Sequence, residues 1–93
     1  MSKITDLVAA RSAADPEFAH AYAAEDERLR VAVALTRLRE AEGLTQRQLA
    51  ALAGKPQSTI ARIENGTVNP SLQVLGEIAA CLGRRLDVRF VPA

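Results

Sequence analysis

Apolar residues recur at helical spacing along most of the chain. The stretch from Glu27 to Glu42 carries one such face, formed by Val31, Leu35 and Leu38. A second stretch, capped by Ser71, carries a longer stripe of Leu72, Leu75, Ile78, Ala79 and Leu82. Spacing of three and four residues predicts amphipathic helices that pack through these faces.

The N-terminal quarter gives a weaker pattern. Segment Ile4–Ala14 has one short apolar stripe, which is too little to hold an isolated helix in water, so it either docks on a surface or is disordered. Asp15-Pro16-Glu17 is a helix start and predicts a helix to about Ala24. The acidic cluster Glu25-Asp26-Glu27 either interrupts this helix or begins the next one, and the sequence leaves both readings open.

Glycines and capping residues divide the rest into short helices. Thr45 followed by Gln48 fits a capping box, and that helix is predicted to end at Gly54. The next helix is predicted to begin near Gln57, after Pro56, and to end at Asn65-Gly66. Gly43 and Gly83 are predicted to end the helices that precede them.

In the C-terminal tail the apolar residues recur every second residue instead of at helical spacing. Leu86, Val88 and Phe90 alternate with Asp87 and Arg89, which predicts a half-buried strand. A lone strand cannot satisfy its own backbone groups, and no other segment has a strand pattern. The same strand of a second subunit is therefore the expected partner; the alternative is a tail packed irregularly on its own domain.

Charge is unevenly distributed along the 93 residues. Residues 1–27 hold two Lys/Arg and six Asp/Glu, whereas residues 28–93 hold ten and five. An acidic arm on a basic domain suggests two different partners, although solubility alone also explains both halves.

Several classes of protein have little support. No apolar run is long enough to span a membrane and no secretion signal is recognisable, so we expect a cytoplasmic protein without a membrane partner. His20 is the single histidine and Cys81 the single cysteine, so no metal site, cofactor or catalytic pair is predicted. We expect no enzymatic activity, and we read Cys81 as a small buried or interfacial hydrophobe.

The region from Gly43 to Gly66 carries the functional prediction. Two helices of about eight residues joined at Gly54-Lys55-Pro56 have the spacing of a helix-turn-helix. In this motif the second helix enters the major groove of DNA. Ile60 and Ile63 give that helix an inward face, and its outward residues are Gln57, Ser58, Thr59, Ala61 and Arg62. Four of these five can hydrogen-bond to bases or phosphates, which favours DNA binding. The alternative interpretation is that they form the polar surface of an ordinary helical bundle.

Three runs also resemble a known family. They are Gly43–Ala50, Gln57–Gly66 and Asn69–Leu72, and they are similar to the lambda-repressor-like (Cro/CI-type, XRE) helix-turn-helix domain over about residues 30–83. The resemblance implies operator binding, with base contacts from Gln57, Ser58 and Arg62 and phosphate contacts near Gln46, Thr59 and Asn69. It also implies a buried ion pair between Arg39 and Glu64. Gln46 and Arg47 open the first helix of the motif, where it meets the DNA backbone, and Lys55 and Arg62 add positive charge for counterion release. Pro56 departs from the family pattern, which has a Ser or Thr cap there.

The two ends resemble a subfamily. The Asp15–Phe18 arm and the tail from Leu82 to Phe90 are similar to HigA-like antitoxins, and secondarily to HipB-like ones. This resemblance implies a homodimer that represses its own promoter and neutralises a basic, RelE-fold ribonuclease toxin. The expected partner-binding residues lie on the arm: Phe18, Tyr22, Glu25 and Asp26.

Together these observations predict an all-α fold with a C-terminal strand that pairs across a dimer. We expect an acidic helical arm (1–27), a DNA-binding domain (28–83) and a dimerisation strand (84–93). The predicted function is sequence-specific transcriptional repression of double-stranded operator DNA, as an antitoxin. The alternatives are a helix-turn-helix regulator without a toxin, or a protein-interaction module with vestigial DNA binding.

Overall fold

Four helices form the described part of the chain. The structure, a computed structural model, describes residues 16–92, and their side chains from residue 23 onward. The helices are α1 (Pro16–Ala41), α2 (Gln46–Ala53), α3 (Gln57–Glu64) and α4 (Leu72–Cys81). The predicted segment Ile4–Ala14 lies outside the described residues. Within residues 16–92 no helix is long and apolar enough to cross a membrane.

Helix α1 is continuous through the acidic cluster, which settles the point that the sequence left open. Glu25 accepts a hydrogen bond from Arg28 at 3.1 Å, and Asp26 accepts one from Arg30 at 2.8 Å. Ion pairs at these spacings stabilise a helix interior, so the cluster supports the helix instead of breaking it. The predicted boundary between residues 27 and 28 lies inside α1.

The predicted helix caps at Thr45 and Ser71 are confirmed, whereas the predicted cap Asp15 lies outside the described residues. The Thr45 hydroxyl accepts from the N–H of Gln48, while the Gln48 side chain accepts from the N–H of Thr45. The Ser71 hydroxyl accepts from the N–H of Val74 at 3.1 Å at the start of α4. Pro56 precedes α3 and offers no side-chain cap, as its lack of a hydroxyl dictates.

The core lies where α3 packs against both α1 and α2, and where α2 also meets α4. Its largest buried side chains come from all four helices: Leu35, Leu49, Ile60, Ile63 and Ile78. Burial of each such side chain contributes roughly 1.5–3 kcal/mol relative to exposure. Helix α3 therefore sits centrally in the packing although it has only eight residues.

The tail after α4 has neither helix nor strand between residues 84 and 92 of the single chain. Its last backbone–backbone hydrogen bond joins the N–H of Arg84 to the carbonyl of Ala79. Leu86 is half-buried, whereas Val88, Phe90 and Val91 are exposed. The predicted strand needs a partner strand to form, so it stays a prediction.

Candidate nucleic-acid interface

Helix α3 has one apolar face and one polar face. Ile60 and Ile63 are 0% and 1% exposed, so the inward face is fully used in the core. Gln57, Ser58 and Arg62 are exposed on the other side, and Thr59 and Ala61 are half-buried at its edges. The face that sequence reasoning selected is therefore open to solvent in the described chain.

The turn before α3 fixes its angle to α2. Gly54 has φ +64°, a left-handed conformation, and its N–H donates to the carbonyl of Ala51 at 3.3 Å. The N–H of Lys55 then donates to the carbonyl of Ala50 at 2.9 Å. A Cβ at Gly54 would meet no atom within 4 Å, so the backbone conformation alone makes glycine favourable there.

A hydrogen-bonded cluster around Glu64 ties α3 to the other two helices. The Arg39 guanidinium donates to both carboxylate oxygens, with Nε–Oε2 at 2.7 Å and Nη2–Oε1 at 2.9 Å. The Thr36 hydroxyl donates to Oε1 at 3.1 Å, and the Gln46 amide donates to the same oxygen at 3.3 Å. The ion pair expected from the family resemblance is present, and it lies at the point where α1, α2 and α3 meet.

This cluster also changes the ionisation of its members. Burial disfavours the charged form of Glu64, but hydrogen bonds from Arg39, Gln46 and Thr36 outweigh burial and hold the pKa of Glu64 below its usual 4.5. The hydrogen bond to Glu64 likewise raises the pKa of Arg39. The side chains of Glu64 and Arg39 are only 5% and 15% exposed, and both are charged and paired at neutral pH. The cluster therefore fixes the orientation of α3.

Two predicted DNA-binding residues have partners within the chain. The amide of Gln46 faces Glu64, which uses one of its N–H groups. The ammonium of Lys55 lies 3.1 Å from the carboxylate of Glu77, and its side chain is 18% exposed. The positive charge of Lys55 is therefore partly neutralised by Glu77.

The remaining predicted residues differ in their surroundings. Arg47 and Arg62 are exposed and form no ion pair with the side chains of residues 23–92. Asn69 is exposed, but it borders a groove between α1 and α4. Arg47 therefore lies at the start of α2 and Arg62 in the last turn of α3, whereas Asn69 lies beside a different surface.

A family model described as helix-turn-helix matches residues 35–88, which is more than half of the chain. The chain belongs to the helix-turn-helix family. In this family member, the matched region contains α2, the turn at Gly54, α3 and α4.

Two curated proteins extend the helix-turn-helix assignment. One, an uncharacterized HTH-type transcriptional regulator of Haemophilus influenzae, is 42% identical over 65 residues, which cover 68% of this chain and 66% of that protein. Another, from Sinorhizobium fredii with the same description, is 44% identical over 55 residues, covering 59% of this chain and 26% of that protein. The chain thus spans just under two thirds of the first relative and about a quarter of the second. No solved structure matches it.

The comparisons support the helix-turn-helix part of the resemblance and not the narrower HigA-like part, because both relatives are described only as transcriptional regulators. On the arm, Glu25 and Asp26 are already paired with Arg28 and Arg30. The side chains of Phe18 and Tyr22 lie outside the described ones.

Sequence reasoning missed two parts of the helix-turn-helix site. Thr36 contacts Glu64, and the only local signal was its position three residues before Arg39 on α1. After α3, the Asn65 side chain accepts from both the backbone N–H and the hydroxyl of Thr67, at 3.0 and 2.7 Å. This Asx-type turn holds the loop that leaves α3.

The described side chains include neither a metal-binding cluster nor an activated thiol. Among residues 23–92, no buried side-chain nitrogen or oxygen lacks a hydrogen-bond partner. The described residues contain no group of three His, Cys, Asp or Glu placed to hold a metal ion. Burial raises the pKa of the Cys81 thiol, which opposes the thiolate that a nucleophile would need.

Proposed function

We propose that this chain is a sequence-specific DNA-binding transcription regulator that acts as a dimeric repressor. The observation that carries the proposal is the division of α3, whose apolar side is fully buried while Gln57, Ser58 and Arg62 face solvent. The core thus holds the apolar side of the helix rigidly, while its polar side remains available to bind DNA. Membership of the helix-turn-helix family and the description of both relatives support the same function.

The chemistry of the exposed face matches the major groove. The groove accepts an α-helix and displays a different pattern of donors and acceptors for each base pair. An arginine such as Arg62 can bind guanine through two hydrogen bonds, and a glutamine such as Gln57 can bind adenine similarly. Because Pro56 provides no side-chain cap, the first N–H groups of α3 are available to a DNA phosphate.

The phosphate contacts should come from residues around this face. Arg47 is exposed and has no ion-pair partner among the side chains of residues 23–92, and it lies at the start of α2, where the first helix of the motif meets the DNA backbone. Gln46 keeps one N–H group for a phosphate while the other is bound to Glu64. Thr59 lies at the edge of the face, whereas Lys55 must weaken its pair with Glu77 to contribute.

Two copies would read a palindromic operator. In a dimer the two α3 helices would lie in successive major grooves, about 34 Å apart, and occupancy of the promoter would block transcription. In this arrangement the two-fold axis of the protein dimer coincides with the two-fold axis of the palindromic DNA site.

Selection from a pool of randomised duplexes tests the proposal. We expect enrichment of one sequence with two related half-sites, bound with steep salt dependence. Arg62→Ala should then lose roughly 1–3 kcal/mol of binding at one base position. Arg37→Ala, which removes an exposed arginine from α1, is the charge-matched control and should keep the same base preference.

Failure to enrich any sequence, with no retention of DNA at low salt, would favour the interaction module with vestigial DNA binding. A uniform loss on all sequences for Arg62→Ala would reassign Arg62 to phosphate contact.

A second proposal is that the regulator is an antitoxin whose arm captures a basic ribonuclease toxin. The excess of acidic residues before residue 28 supports it, because opposite charge speeds association. Leu29 and Val33 on α1 also leave apolar surface exposed, at 55% and 47%.

The neighbouring gene tests the antitoxin proposal. We expect an adjoining reading frame for a small basic protein that co-purifies with this chain and whose RNA cleavage it inhibits. Leu29→Asp should weaken that complex, whereas Gln73→Ala, at an exposed position of α4, serves as the surface control. A neighbour that neither binds nor is inhibited leaves a regulator without a toxin.

A further inference from the structure

An apolar groove of about 560 Å³ runs between α1 and α4. The tail forms one wall of it from Leu86 to Arg89. Its helical lining is mostly aliphatic: Val31, Ala34, Leu35, Leu38, Leu75 and Ile78. The groove lies apart from the polar face of α3, so DNA binding does not account for it.

The tail beside this groove leaves two kinds of group unsatisfied. Val88, Phe90 and Val91 are 58%, 104% and 69% exposed. Three large apolar side chains exposed within four consecutive residues are unusual on a folded surface. Residues 85–91 also make no backbone–backbone hydrogen bond within the described chain. A partner that supplies both a strand and apolar side chains would satisfy both kinds of group.

The sequence of the tail is complementary to itself when two copies run antiparallel. With Val88 opposite Val88 of a second copy, Asp87 faces Arg89 and Leu86 faces Phe90, and each pairing occurs twice. The side chains of Asp87 and Arg89 are well exposed, at 60% and 78%, and pair with each other in the single chain at 2.8 Å. Both are therefore accessible to exchange partners across an interface.

Other registers are less favourable. If one tail slides by one residue, so that Val88 lies opposite Asp87 of the second copy, charged residues oppose apolar ones on the same face. Centring the pair on Asp87 or on Arg89 would oppose two like charges, which destabilises a sheet. Centring it on Leu86 runs the strands into Gly83, whose φ of +67° ends α4, and leaves Phe90 unpaired.

We propose that a second copy of this chain occupies the mouth of the groove, through an antiparallel pair of tails whose two-fold axis passes between the two Val88 residues. The proposal rests on the dimer of the proposed function and specifies its register. In this register Phe90 of the second copy lies opposite Leu86, which lines the groove. The ring that is fully exposed in the single chain is then brought over the groove wall of its partner.

Cysteine cross-linking tests the register directly, in a full-length Cys81→Ala background. Opposed residues of antiparallel strands have Cα atoms about 4.5–5.5 Å apart, within disulfide range. Val88→Cys should therefore form an intermolecular disulfide under mild oxidation. Asp87→Cys alone and Arg89→Cys alone should not, because their own copies lie about 7–8 Å away on the diagonal, but a mixture of the two should cross-link.

Charge exchange provides an independent test by sedimentation equilibrium. Asp87→Arg places arginine opposite arginine twice, so the dimer should weaken by roughly tenfold. Arg89→Asp should weaken it similarly by opposing two aspartates. An equimolar mixture of these variants, or the double variant Asp87→Arg with Arg89→Asp, should recover the wild-type affinity, which a merely structural effect would not do.

Each outcome decides one claim. A wild-type chain that sediments as a monomer at all concentrations overturns the proposal. A dimer that cross-links at another position, or that ignores the charge exchange, overturns the register but leaves the dimer. Enrichment of a duplex sequence in the selection above is measured separately, so loss of DNA binding and loss of tail pairing are distinguishable.

Discussion

Helix α3 and the C-terminal tail are the two exposed surfaces that matter most, and they have opposite chemistry. In α3 the apolar residues Ile60 and Ile63 are buried and the polar residues face outward. In the tail the apolar residues Val88 and Phe90 face outward, and the backbone from residue 85 to 91 makes no backbone hydrogen bond within residues 16–92. The apolar side of helix α3 is thus fully packed, and its polar side can bind a polar ligand without rearrangement. The tail is incomplete until an apolar surface and a strand cover it.

This difference indicates two kinds of partner. A rigid polar helix face suits DNA, whose base edges and phosphates are themselves polar. An apolar strand with alternating opposite charges suits a protein, because the hydrophobic effect and cross-strand pairs both act there. In our proposals the helix-turn-helix would recognise DNA and the tail would assemble the dimer.

The largest effect should come from the buried side of α3. Ile60→Ala removes a side chain that is 0% exposed, and we expect a loss of about 2–5 kcal/mol in the free energy of unfolding. Phe90→Ala should cost the dilute monomer less than about 0.5 kcal/mol, because its ring has no described contact to lose. Urea unfolding at low protein concentration measures both. Equal losses for the two variants would show that the tail is already packed in the single chain.

Removing one member of the Arg39–Glu64 pair should be the next largest effect. Glu64→Ala leaves a nearly buried guanidinium without its carboxylate, so we expect a loss of about 3 kcal/mol. Asp26→Ala breaks an exposed ion pair on α1 and should cost less than about 1 kcal/mol. If Glu64→Ala proved as mild as this control, the cluster would not be what holds α3 in place.

Changes on the exposed side of α3 should affect DNA and leave folding intact. Gln57→Ala should lose roughly 1–3 kcal/mol of discrimination at one base pair, while the free energy of unfolding stays within about 0.5 kcal/mol. Base-by-base competition with the selected duplex measures the first quantity, and urea unfolding the second. Substitution of Gln73, an exposed glutamine on α4, is the matched control and should change neither. A shift in the Gln57→Ala unfolding midpoint would mean that its face contributes to packing.

The smallest effect should be the dependence of stability on pH through Glu64. Its folded pKa lies below the unfolded value near 4.5, so its contribution is complete above that pH and is lost as pH falls through the folded pKa. Wild-type stability should therefore decline below about pH 4.5 more steeply than that of Glu64→Gln. Unfolding midpoints between about pH 7 and pH 3 measure this, and parallel curves would contradict it.

Much of the fold follows from local sequence signals. The caps at Thr45 and Ser71 and the left-handed glycine at Gly54 act over a few residues, so their chemistry is visible without tertiary structure. The two faces of α3 were also predictable, because isoleucines three residues apart define the inward side of a helix.

Contacts between distant residues were less accessible. The pairing of Lys55 with Glu77 depends on how α4 packs beside the turn, and the turning of the Gln46 amide toward Glu64 depends on how α2 packs against α3. No local pattern encodes either contact. The continuity of α1 was undecidable for another reason. Acidic residues are favourable both in a first turn and in interior pairs with following arginines, so Glu25 and Asp26 fit both readings.

The most direct test of the central claim is to map amide chemical shifts during titration with the selected duplex. The account predicts changes concentrated on Gln57 to Arg62 and on Gln46 and Arg47, with the tail from Leu86 to Phe90 unchanged. Changes confined to the tail or to α1, with α3 unaffected, would contradict it.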